Sequence, residues 1–265
     1  MKKIKNILFL IVTATYIVVV SGFISKNDSM LQIGSTIISI RDSSDYQFIS
    51  KDDILRILKN YNFDAGGKAV SEIMLGELES YILKNRIIKK AEAYITEPGV
   101  LHIDIWQKNP FLRISNQSGQ GYYIDREGNI IPISDNFSPY VLVASGFIRE
   151  PFSVSKVSNI FIENYDSLAV SKKTIYELYD LASFIDDDRF WSAQIEQIYV
   201  NSKHEFELIP RVGANIIEFG NAENIGEKFE NLMLLYEQGL ASVGWNQYER
   251  ISLKYKNQVV CTKNQ

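Results

Sequence analysis

The stretch Ile87–Pro110, IIKKAEAYITEPGVLHIDIWQKNP, contains two strands, the turn between them and a boundary. Ile87 to Thr96 reads as a strand, and Glu97-Pro98-Gly99 supplies turn chemistry. Val100 to Trp106 then alternates. Leu101, Ile103 and Ile105 fall on one face and His102, Asp104 and Trp106 on the other, because strand side chains point alternately to opposite sides. Asn109-Pro110 closes the unit, since proline lacks a ladder donor and restricts the residue before it.

Upstream, Thr36 to Ile40 (TIISI) is β-branched and predicts another strand. Ser50 and Asp53 have capping-box spacing, and Ile54, Leu55, Leu58 and Tyr61 follow at helical intervals. Gly66-Gly67 breaks the chain before a second helix carrying Ile73, Met74, Leu78, Tyr81 and Ile82. The order is β-α-α-β-β, which sets two helices on one face of a three-stranded sheet.

Downstream the pattern becomes mainly strands. Tyr122–Asp125, a turn at Arg126–Asn129 and Ile130–Ile133 form a hairpin, and Tyr140 to Ala144 is a further strand. A helix is predicted from Lys173 to Ile185. Short strands follow at Gln194–Val200, Glu205–Ile209 and Asn215–Phe219, then a helix at Ile225–Tyr236. The final strand is read as one element, Arg250 to Cys261, with Ile251, Leu253, Tyr255, Val259 and Cys261 on one face. The expected class is α+β: a β-α-α-β-β domain over 35–109 and a mainly antiparallel β domain with helices over 110–265.

The N-terminus is different in kind. Lys2, Lys3 and Lys5 precede Ile7–Ile24, a run of uncharged residues about as long as the roughly 20 that cross a bilayer as a helix. The expectation is a cytoplasmic tail at 1–6, a single transmembrane helix at 7–25 (Ile7, Leu10, Tyr16, Val20 and Ile24 lie in it) and a tether at 26–34. Positive charge before the span keeps the N-terminus in the cytoplasm and exports the rest. A cleaved signal peptide is the competing reading, with Val20-Ser21-Gly22 as a passable site, but its apolar region usually has only about 7–15 residues.

Composition excludes much. The chain has 265 residues, net charge -4, one cysteine and two histidines. No internal disulfide is possible, and a Cys- or His-rich metal site is not expected. Mild acidity argues against bulk nucleic-acid binding. All 32 acidic residues lie beyond residue 25, so the exported part is more acidic than the total suggests. No catalytic constellation is found, and neither a cofactor nor a small-molecule substrate is expected. Asn62–Ala69 lacks the first glycine and the hydroxyl residue of a phosphate loop. Ser145 is not in a nucleophile elbow, and Asp186-Asp187-Asp188 reads as a solvated turn. Cys261 reads as a small packed residue.

This layout resembles the FtsQ/DivIB family of bacterial cell-division proteins. The resemblance rests on LHIDIWQKNP at 101–110, Tyr122-Tyr123-Ile124-Asp125-x-x-Gly128, and Phe190-Trp191-x-x-Gln194-Ile195. It continues through Glu207-Leu208-Ile209-Pro210-x-x-Gly213, Ile217-x-Phe219-Gly220 and the closing ISLKYKNQ at 251–258, where Ser252 replaces the family's usual Asp. The resemblance implies a POTRA domain followed by a β domain. It also implies a non-enzymatic scaffold of the division complex in the inner membrane, enriched at the septum. Its partners would be FtsB and FtsL, small coiled-coil proteins recruited through the last strand, with Lys254, Tyr255, Lys256, Asn257 and Gln258 as candidate contacts. A sheet edge offers free backbone groups to an incoming strand, and lysines there would select an acidic partner. The alternative is a POTRA protein of outer-membrane assembly or secretion. An anchored hydrolase or sensor is less well supported, for want of a catalytic cluster or an output module.

Overall fold

The computed structural model describes residues 11–18, 32–64, 66–96, 99–149, 159–161, 169–213, 215–241 and 244–264. The chain divides into two units, Met1–Gln107 and Lys108–Gln265. Residues 11–18 are helical, and Tyr16 is exposed. Among the described residues no helix is long and apolar enough to cross a membrane. The positions Ile7, Leu10, Val20 and Ile24 lie outside the described residues, as do most of the tether and Glu97-Pro98.

In the first unit the order is β1 (Ser35–Ile40), α1 (Lys51–Asn60), α2 (Leu75–Ile82), β2 (Ile88–Thr96) and β3 (Val100–Gln107). β3 is central, parallel to β1 and antiparallel to β2. The capping box forms as expected: the Ser50 hydroxyl accepts from the Asp53 amide, and the Asp53 carboxylate accepts from the Ser50 amide at 2.8 Å. Ile54 and Leu58 of α1 and Leu78 and Ile82 of α2 then bury against Leu101, Ile103 and Ile105. The Gly66–Ala69 segment receives the incoming chain. The Gly67 amide donates to Ile33 O, the Ile33 amide donates to Lys68 O, and Gln32 bridges to Ala69.

The opposite face of this sheet is not uniformly exposed. Asp104 is only 4% exposed, because Arg41 reaches it at 2.5 Å and the Tyr94 hydroxyl lies 3.5 Å away. His102 stacks flat on Tyr94 and shares a hydrogen bond with the Thr96 hydroxyl, a position of packing rather than metal ligation.

The second unit is a nine-stranded sheet in the order β12-β11-β10-β9-β8-β7-β4-β5-β6. The strands on its first side are β4 (Pro110–Ser115), β5 (Gly121–Asp125), β6 (Ile130–Pro132) and β7 (Leu142–Gly146). Helices α3 (Ala169–Asp187) and α4 (Arg189–Gln194) lead to β8 (Ile195–Val200), β9 (Phe206–Pro210) and β10 (Ile216–Gly220). Then come α5 (Ile225–Leu234), continued by a π-helical turn over Leu235–Leu240, β11 (Tyr248–Ser252) and β12 (Val260–Lys263). The sheet is mixed rather than simply antiparallel: β4–β7, β7–β8 and β10–β11 run parallel. Parallel neighbours need a crossover. Helices α3 and α4 supply it between β7 and β8, and α5 supplies it between β10 and β11. Their apolar sides, with Leu178, Leu181, Phe229 and Leu232, bury against Leu112, Ile198, Leu208, Ile217 and Ile251.

Several sequence expectations are corrected. Pro110, read as a boundary, is the first residue of β4, which suits a residue that cannot donate to the ladder. Asp186-Asp187-Asp188 is exposed, but more than a turn. Asp186 and Asp187 end α3 and both pair with Arg126, offsetting acidic charge at a helix C-terminus, while Asp188 accepts from the Phe190 and Trp191 amides and so caps α4. The largest correction concerns the final strand. Arg250–Cys261 is two strands, β11 and β12, paired antiparallel, with a turn at residues 253–259. Asn257 sits at φ 59, a left-handed conformation that asparagine tolerates and that ends the extended run.

Candidate partner-binding site

β12 lies at one end of the large sheet, bonded on one side to β11. Its register pairs Ser252 with Val260, Ile251 with Cys261 and Arg250 with Thr262. Cys261 therefore shares the helix-covered face with buried Ile251, while Val260 and Thr262 share the open face. Val260 is 43% exposed and Lys263 is exposed, and among the described residues no strand pairs the outer side of β12. The Cys261 thiol is half-buried, and that burial pushes its pKa up; it acts as a packed residue. The strand is short and ends in a lysine, features that discourage indiscriminate pairing at an edge.

The five residues Lys254, Tyr255, Lys256, Asn257 and Gln258 fall in the turn before β12 rather than along a strand. Leu253 is buried, and its amide donates to Glu218 O at 2.9 Å, prolonging the β10–β11 ladder by one residue. Tyr255, expected on the apolar face with Leu253, is 55% exposed because the turn has already begun. These five residues and Leu253 form one wall of a cleft of about 220 Å³. Asn224, Glu227, Lys228 and Asn231 of the α5 start form the other. The Lys228 ammonium donates to Phe219 O, Asn221 O and Asn221 Oδ1, and burial lowers its pKa.

The charges beside this turn are organised in a way the sequence does not reveal. Glu207 on β9 and Glu218 on β10 are direct cross-strand partners on the open face, a repulsive pairing unless cations intervene. Arg250 of β11 bridges them, with Nε 2.5 Å from Glu218 and Nη2 3.1 Å from Glu207. Lys254 continues the row, its Nζ 2.7 Å from Glu205 and 3.9 Å from Glu218. The hydrogen bond to Glu205 raises the Lys254 pKa, and the same bond holds Glu205 below the usual carboxylate range. For Glu218, burial pushes upward, but Arg250 and Lys254 bring the net direction below normal. Lys254 is thus already paired within the domain; Lys256 and Lys263 are further exposed cations here.

Sequence reasoning missed Glu205, Glu207 and Glu218. Alternation within β9 sets Glu205 and Glu207 opposite Phe206 and Leu208, so their shared face was readable. Their meeting with Arg250 depends on strand order, which no local pattern carries.

Among the described residues, no group of histidine, cysteine and carboxylate side chains forms a metal-binding cluster. His204 lies in the β8–β9 turn at φ 60, and Ser145 accepts from the Gln197 side-chain amide at 2.7 Å.

The model of the family described as FtsQ/DivIB, C-terminal related, matches residues 109–262. The chain belongs to that family. A POTRA-like domain model matches residues 34–106, so the β-α-α-β-β unit is POTRA-like. Together they support a role in cell division, and both are non-catalytic scaffold families. Comparison with curated proteins gives no match. In FtsQ/DivIB terms, the β12 edge and its turn form the C-terminal limit of the matched domain.

Proposed function

We propose that the protein is a bitopic, non-enzymatic scaffold of the division complex. It is anchored in the inner membrane by residues 7–25, has its bulk outside the cytoplasm, and is enriched at the septum. The β12 edge adds a strand from a small coiled-coil partner of the FtsB/FtsL type, and this capture couples septum assembly to peptidoglycan synthesis. The observation that carries the reading is the position of β12: a short, exposed edge strand closing a sheet in an FtsQ/DivIB-family domain. Strand addition takes its affinity from backbone hydrogen bonds and its specificity from alternate side chains. Here Val260 and Thr262 line the open face beside the incoming strand. Lipid contact is confined to the single span.

Removal of residues 260–265 tests this reading. The truncated protein is expected to remain membrane-bound and folded, and to lose co-purification of FtsB and FtsL. Undiminished co-purification by the truncated protein overturns the assignment of the edge.

A further inference from the structure

We infer that Lys254 is a positioning residue, a strut that fixes the β11–β12 turn and so presents β12 in a form ready to accept a strand. This deepens the proposed function, and only its partner-capture arm rests on that reading. Three observations converge. First, the Lys254 ammonium is committed within the domain, at 2.7 Å from Glu205 beside the β8–β9 turn and 3.9 Å from Glu218 on β10. It therefore ties the turn to segments two and three strands away from β12.

Second, the path of the side chain is prepared. Gly220 ends β10 at φ 81, where the β9–β10 register shifts between Glu218 and Gly220. A Cβ built on Gly220 would lie 3.2 Å from Lys254 Cγ, so the aliphatic stem rests on bare backbone. Third, β12 is held by β11 and, at its far end, by Asn264, which donates to Gln247 O and Asn246 O, so the start of the strand depends on the turn. The strand is four residues long with one neighbour, and the segment from Tyr255 to Gln258 is exposed. An edge strand of this kind opens locally unless its connection is restrained. Pre-ordering it lowers the entropic cost of adding a partner strand. Glu205, Glu207, Glu218 and Arg250 are partly buried and Lys254 lies at the solvent end of the row, so the inner pairs are screened less than at the open surface.

The experiment has two arms. Hydrogen exchange on the free full-length protein compares wild type with Lys254→Met, which keeps the stem and removes the charge. Amides from Tyr255 to Lys263 are expected to exchange about tenfold faster or more in the variant. The POTRA-like unit should not change. Unchanged exchange in the turn and β12 overturns the inference, whatever happens to partner capture.

The second arm measures capture of FtsB and FtsL by Lys254→Glu alone and combined with Glu205→Lys. The single reversal is expected to weaken capture about tenfold or more, and the double reversal to recover most of the loss, as coupled residues do. A double variant as weak as the single one overturns the inference, because it would mean that Lys254 reads the partner directly. Wild-type protein that captures neither partner overturns the partner reading instead and leaves the exchange result standing.

Discussion

At residue scale, Gly128 shows how one position serves a whole hairpin. It sits at φ 77 in the turn between β5 and β6, and an added Cβ would lie 2.5 Å from the Phe161 ring. Its carbonyl also accepts from the Ile160 amide. Two separate penalties, backbone strain and overlap, therefore act on any larger residue, and Gly128→Ala is expected to cost more than about 1 kcal/mol, read as a lowered urea midpoint. The cap of α1 gives a second prediction. Ser50→Ala removes the hydroxyl that bonds Asp53 and is expected to cost about 1 kcal/mol at neutral pH. The Asp53 pKa is lowered, chiefly by the Ser50 hydroxyl and despite the opposing effect of burial. A carboxylate with a depressed folded pKa contributes stability that is present above its unfolded value, about 3.9, and is lost as pH falls through the folded value. The difference between wild type and Ser50→Ala should therefore shrink as pH falls from about 6 to about 2, followed by urea unfolding across that range. Both residues were legible in advance, Ser50 and Asp53 from spacing and Gly128 from its turn, because capping and tight turns are local chemistry.

At element scale the picture divides. Strands and helices with strong periodicity, such as β3 with Leu101, Ile103 and Ile105, were readable because alternation and burial coincide. The β11–β12 hairpin was not. Ile251, Leu253, Val259 and Cys261 keep the odd-numbered phase of an extended strand, and the reversal between them is signalled only by Lys256-Asn257. A turn that preserves the parity of its flanks hides inside an alternating run. Helix α4 was also missed: its six residues show no full apolar period, and its signal is the Asp188 cap two and three residues ahead of Phe190 and Trp191. That short helix nonetheless anchors the packing of α5. Trp191 is 3% exposed, with ring centres 4.8 Å from Phe229 and 5.7 Å from Tyr236, whose phenol burial pushes up to about 12. Trp191→Ala is expected to cost about 3–5 kcal/mol, measured by urea unfolding, from lost transfer energy and the cavity left behind.

At the scale of the whole molecule, the sequence carried the order of units and the POTRA-like arrangement. It did not carry the strand order of the second unit, and with it the meeting of Glu205, Glu207 and Glu218 with Arg250 and Lys254, since pairing between distant segments leaves no local trace. Part of the acidic charge beyond residue 25 is thereby seen to be paired within the second unit. Arg250 and Lys254 pair with three glutamates, Glu205, Glu207 and Glu218, and the exposed lysines Lys256 and Lys263 flank the β12 edge. The two family matches support a role for this chain in cell division. The most direct test is to image a fluorescent fusion at native expression and then deplete the protein. Bands at midcell and filamentous cells on depletion are the predicted result; uniform membrane signal with normal division would contradict the account.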